Sequence, residues 1–104
     1  MEIVFNNDLK NLEGKVMEDA NVSKLIGNIL ATEKSELDTV ESYVLSINLY
    51  NGEAIDIEKK TLVKIKAAVE KTETLILFAK AQILQEIDAK IEAYDPKKKE
   101  PTAE

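Results

Sequence analysis

From residue 22 onward, large apolar side chains return every three or four positions, the spacing a buried helix face requires. Val22, Leu25, Ile26, Ile29 and Leu30 stand at i, i+3, i+4, i+7 and i+8. Leu62, Ile65 and Val69 form a narrower stripe of the same kind, and Ile83, Ile87, Ile91 and Tyr94 form a longer one. A chain so patterned is expected to be mainly α, a small bundle of about four helices. The pattern is missing before residue 21. There Ile3-Val4-Phe5 has strand character, and Leu12-Glu13-Gly14-Lys15-Val16 reads as a tight turn into a second extended piece, so a short N-terminal β-hairpin or arm has room to form. The expected organisation is an arm or hairpin over 1–20, a helical domain over 21–94 and a disordered tail over 95–104, where two prolines and a lysine run exclude a packed core.

The helix ends carry their own signals. Asn21 can cap the first helix, whose interior Gly27 costs about 1 kcal/mol relative to Ala and so points to a close helix–helix approach. Ser35-Glu36-Leu37-Asp38 resembles a capping box opening the second helix. That helix is expected to bury Leu37, Val40, Tyr43, Val44, Ile47 and Tyr50, and to close at Asn51-Gly52, with Gly52 left-handed. Leu45 and Leu49 fall off this face, so the helix is either sandwiched or offers a second apolar strip to a partner. Tyr43 and Tyr50 can finish the core, the favoured reading, or anchor a partner. A short extended stretch, Ala54-Ile55, precedes a third helix from Asp56 or Glu58. Lys71-Thr72-Glu73-Thr74 breaks the pattern before a fourth helix from about Leu75 to Tyr94, with Ile76 on its core side and Glu86–Lys90 as an exposed i,i+4 pair. Whether the third and fourth helices are one kinked helix is left open by the pattern.

Composition then narrows the chemistry. There is no Cys, His or Trp, and all fourteen basic residues are Lys. These omissions remove thiolate metal sites, the commonest general base and the bidentate fork that grips phosphate. No serine has a histidine to activate it, and no P-loop, dinucleotide or zinc spacing occurs. Around Asn51-Gly52 a calcium loop would place Ile47 and Leu49 at ligand positions, which excludes it. Asp56, flanked by Ile55 and Ile57, reads as a helix cap rather than a perturbed acid. No catalytic, cofactor-binding or metal-ligating residue is expected, nor any small-molecule substrate.

The net charge of −6 argues against a general nucleic-acid surface. The local run Lys59, Lys60, Lys64, Lys66 and Lys71 reads chiefly as a solvated helix face, paired with Glu33, Glu36, Asp38 and Glu41. No leader is visible and no apolar run is long enough to span a bilayer, so the chain reads as cytoplasmic.

Leu25-Ile26-Gly27-Asn28-Ile29-Leu30, Tyr43-Val44-Leu45-Ser46-Ile47-Asn48-Leu49-Tyr50-Asn51-Gly52 and Leu62-Val63-Lys64-Ile65 with Val69 together resemble a pattern in small, uncharacterised proteins of bacteriophages and prophages, over roughly residues 10–92. That group usually caps the third helix with Ser or Thr, where this chain has Asp56 or Glu58. The resemblance implies a phage-associated origin, and with it the host cytoplasm, but no defined activity. The leading expectation is a non-enzymatic protein acting through protein contacts or self-association, as adaptor, assembly or host-takeover factor. Its partner surface would draw on Tyr43, Leu45, Leu49, Tyr50, Lys59, Lys60 and Lys64, with Leu75 and Phe78 as further surplus apolar groups. The alternatives are an acidic decoy using Glu33, Glu36 and Glu41 against a nucleic-acid-binding or defence protein, and a nucleic-acid-binding regulator using the lysine-rich third helix.

Overall fold

A computed structural model describes residues 2–5 and 7–94, apart from the side chains of residues 18 and 19. The tail expected over 95–104 lies outside the described residues. Eight elements follow one another: β1 (Glu2–Ile3), β2 (Asp8–Lys10), β3 (Val16–Asn21), α1 (Val22–Thr32), α2 (Thr39–Tyr50), β4 (Ile55–Asp56), α3 (Lys59–Lys71) and α4 (Leu77–Glu92). Helices dominate, but the strands form two small antiparallel sheets, so this is not a pure helical bundle.

The N-terminal strands pack into the same core as the helices. β1 pairs with β4 in the register Glu2↔Asp56 and Ile3↔Ile55. β2 pairs with β3 through a turn organised by Asn11, whose side-chain oxygen accepts from the backbone N–H groups of Glu13 at 2.9 Å and Lys15 at 3.0 Å. An Asn-Gly turn is unnecessary when an asparagine at the turn entrance holds the loop this way. The outer edge of β2 meets α4. The Gln82 amide donates to the Lys10 carbonyl at 2.7 Å and accepts from the Lys10 N–H at 2.9 Å, so one side chain pairs with this edge residue as a neighbouring strand would. Ile3, Phe5 and Leu9 from this region are buried in one cluster with the helices.

Asn21 caps α1 as expected, accepting from the Lys24 N–H, while its amide donates to Asp8. Val22, Ile26, Ile29 and Leu30 are buried and Leu25 is half-buried against the core. The start of α2 differs from expectation. Ser35 accepts only from the Leu37 N–H, in a local bend, and the helix begins four residues later at Thr39, with Asp38 at the cap position and no side-chain capping bond. A serine two residues before its donor makes a turn, and the turn competes with the helix for those groups. The end of α2 is as expected. Gly52 has φ +74°, its N–H reaches the Leu49 carbonyl and the Glu53 N–H reaches that of Asn48, which together satisfy two otherwise orphaned helix carbonyls.

α3 and α4 are separate helices. Thr72 ends α3 and is buried, its hydroxyl donating to Glu33 at 2.6 Å and its oxygen accepting from the Thr74 N–H. This anchoring to the end of α1 is followed by bends at residues 73–75, and the helix does not resume until Leu77. Ile76 therefore precedes α4 and is exposed rather than on its core side, whereas Ile83 and Ile87 are fully buried. Glu86, expected to pair with Lys90, accepts from the Asn7 amide.

After α4 the chain is pinned by Tyr94, whose hydroxyl donates to the Ile57 carbonyl at 2.6 Å. Burial first, then the carboxylates of Asp56 and Glu58, raise the Tyr94 pKa above its ordinary value. A folded state that holds this proton more tightly gains stability that is complete below pH ~10 and lost as pH climbs through the folded value. Tyr94→Phe should cost about 1 kcal/mol at neutral pH and flatten the alkaline fall in stability. Thermal melts of both proteins between neutral pH and pH ~11 check this, and parallel alkaline limbs would refute the assignment.

Candidate protein-interaction surface

The second helix turns the opposite way from its sequence reading. Leu45 and Leu49, offered as an exposed strip, are core residues, with Leu49 fully buried. Val40, Tyr43, Val44, Ile47 and Tyr50, expected inside with Leu37, all face outward; of that set only Leu37 is buried. The reason lies in α1. A Cβ built on Gly27 would stand 2.9 Å from both the Ser46 carbonyl oxygen and the Tyr50 amide nitrogen, so the two backbones touch where Gly27 has no side chain. Beside it, the buried Ser23 hydroxyl donates to the Leu49 carbonyl at 2.5 Å. Such close contact needs small groups at the interface, and Ser46 and Ser23 supply them. Val40, Val44 and the two tyrosines would hold the helices apart.

The outward strip is continuous. Val40, Tyr43, Val44, Ile47 and Tyr50 fall at i, i+3, i+4, i+7 and i+10, which aligns them on one side of α2. Val40 is 67% exposed and Tyr43 65%. Where α2 lies on α1, the strip borders a shallow groove of about 340 Å³, walled by Ala31, Tyr43, Ile47 and Tyr50 and floored by Gly27 and Ser46. Lys24 places its Nζ 5.4 Å from the centroid of the Tyr50 ring, which fixes one end of the strip by cation–π attraction. No residue from Ser42 to Gly52 carries a charge, in a chain one-third charged.

The lysines of the expected surface lie elsewhere. Lys59, Lys60 and Lys64 belong to α3, which packs on α4 and α1, so they do not share an element with Tyr43 and Tyr50. Lys60 is exposed, near Glu58 at 3.6 Å; Lys59 and Lys64 are half-buried. Lys66 meets Asp88 of α4 at 2.8 Å, and that hydrogen bond raises its pKa. Lys66 thus finds an acid on α4 and Lys60 one at the N-cap of α3, rather than among the expected Glu33, Glu36, Asp38 and Glu41. Glu33 instead serves Thr72 and Thr74.

Two larger depressions offer less. One of about 620 Å³ between the hairpin and α4 is lined by groups already engaged, Gln82 with Lys10 and Glu86 with Asn7. Another, of about 560 Å³, lies over the loop from α1 to α2 beside Glu33, Ser35 and Leu37. Among the described residues no buried side-chain polar atom lacks a partner and no group of acids is placed to hold a metal ion. No helix of the described residues is long and apolar enough to cross a membrane.

Sequence reasoning missed Val40, Val44 and Ile47 as surface residues. Two signals could have found them: the uncharged run around them, and Ser42 and Ser46 sharing the side of Leu45 and Leu49, a mix of small and large residues suited to a close helix contact. Comparison with family models, curated proteins and solved structures finds no match to this chain.

Proposed function

We propose that this chain is a non-enzymatic adaptor or assembly factor that works by protein–protein contact through the outward strip of α2, in a phage- or prophage-associated setting. The observation that carries the reading is the aligned exposure of Val40, Tyr43, Val44, Ile47 and Tyr50. Isolated exposed apolar residues are ordinary, but a contiguous strip of five on one helix is the kind of patch that marks a binding surface. Its tyrosines suit that role, offering large contact area with few rotatable bonds. The absence of His and Cys supports a binding rather than a catalytic part. The resemblance to phage and prophage proteins supplies the setting.

A photo-crosslinking residue placed at Val44 and, separately, at Lys64 tests the reading in a bacterial host. The expected result is a discrete polypeptide adduct from position 44 and none from 64. Equal adducts from both, or none from 44, would reject it. The decoy and nucleic-acid readings have less to rest on, since Glu33 is held by Thr72 and Lys66 by Asp88.

A further inference from the structure

We infer that the occupant of the α2 strip is the same strip of a second copy of this chain, giving a two-fold symmetric dimer. The inference rests on the proposed contact function and names its partner.

The charge pattern argues for self-pairing. In a two-fold interface the residues nearest the axis face their own copies, so any charge there meets its like. The middle of the α2 strip, Val44 and Ile47, is apolar, and the uncharged run extends from Ser42 to Gly52. The nearby charges, Lys24 and Glu41, stand at the ends and flank of the strip rather than at its centre. A partner recognised by its charge would find nothing to read along this run.

The area also fits. With a fully exposed Tyr presenting about 200 Å², the five side chains expose on the order of 500 Å². A stable interface takes about 800 Å² from each partner, so the strip supplies more than half and the polar rim at Asn28 and Asn51 adds to it. The groove beside the strip gives relief into which a facing aliphatic side chain can seat. An interface of this size between two copies each carrying −6 is held by apolar burial and opposed by net charge. Dimerisation should therefore strengthen with added salt, the reverse of a contact held by charge attraction.

The test uses the full chain, and its lack of cysteine makes single-cysteine variants clean probes. Sedimentation velocity from the low to the high micromolar range should show conversion from 11.6 kDa to twice that mass, more completely at about 0.5 M salt than at about 0.02 M. Ile47→Glu should shift the dissociation constant upward by at least tenfold while leaving the circular dichroism spectrum unchanged. Under oxidation, Val44→Cys or Ile47→Cys should form a covalent dimer well ahead of Leu77→Cys, which lies on a different exposed apolar spot. A monomer at every concentration would overturn the inference. So would a dimer that Ile47→Glu leaves intact, or faster crosslinking at position 77. If Ile47→Glu fails to fold, the cysteine comparison decides alone. A monomer that still yields an adduct to another polypeptide from position 44 would sink the second-copy partner and leave the adaptor reading standing.

Discussion

Replacing Gly27 with Val should lower the thermal midpoint by roughly 15 °C, taking about 3 kcal/mol for the substitution and several degrees per kcal/mol for a domain this size. On helix propensity alone the change ought to help, because Gly is the poorest helix former after Pro. Packing decides the sign. The new Cβ would meet two backbone atoms of α2 at 2.9 Å, the Ser46 carbonyl oxygen and the Tyr50 nitrogen, and backbone cannot rotate aside as a side chain can. α2 must move away from α1. That movement stretches the Ser23–Leu49 hydrogen bond and loosens Leu45 and Leu49 from the core. Gly27→Ala should show the same effect at smaller size, about 1–2 kcal/mol, because its gain in propensity offsets part of the clash. Melting curves for both variants settle the matter. A midpoint raised by Gly27→Ala would mean that the helices do not touch at this position.

The second large effect is expected at Phe5→Ala, a loss of about 3–5 kcal/mol. Against a total stability of roughly 5–15 kcal/mol, that removes about a fifth or more of what holds a domain of this size folded. Phe5 lies between β1 and β2 with no exposed surface, in one cluster with Ile3, Leu9 and the helices. Truncation leaves a cavity that a core anchored by α4 from one side and β4 from the other has little freedom to close. Leu12→Ala in the same N-terminal region should change stability by no more than about 0.5 kcal/mol, because Leu12 is 87% exposed at the hairpin turn. Urea unfolding of the two variants gives the comparison. Similar small shifts for both would show that the first twenty residues are only loosely attached.

These two residues mark where the sequence was readable and where it was not. Gly27 announced a close approach, because a glycine inside an apolar helix face has few other uses, although its contact on α2 was invisible. Phe5 sat in the least legible region. Strand pairs such as Glu2↔Asp56 join segments more than fifty positions apart, and no local pattern connects them. The caps at Asn21 and Gly52 were legible because capping is a matter of nearest neighbours. The start of α2 was not, because Ser35 satisfied its hydrogen bond in a bend that a one-dimensional pattern cannot distinguish from a helix cap. The candidate surface was half legible: Tyr43 and Tyr50 were named for it, Leu45 and Leu49 were assigned to it wrongly, and Val40, Val44 and Ile47 were assigned to the core.

The amino-acid order alone determined that helices form near these positions, where several of them stop, and which reactive groups the chain lacks. Those are consequences of side-chain spacing, hydrogen bonding within a few residues, and composition. Only the tertiary structure decided which side of α2 faces inward. Both sides carry enough apolar surface to be buried, so periodicity could not choose between them. The choice fell to shape, because the contact across Gly27 and Ser23 admits Ser46, Leu45 and Leu49 at close range and turns the bulkier valines and tyrosines outward.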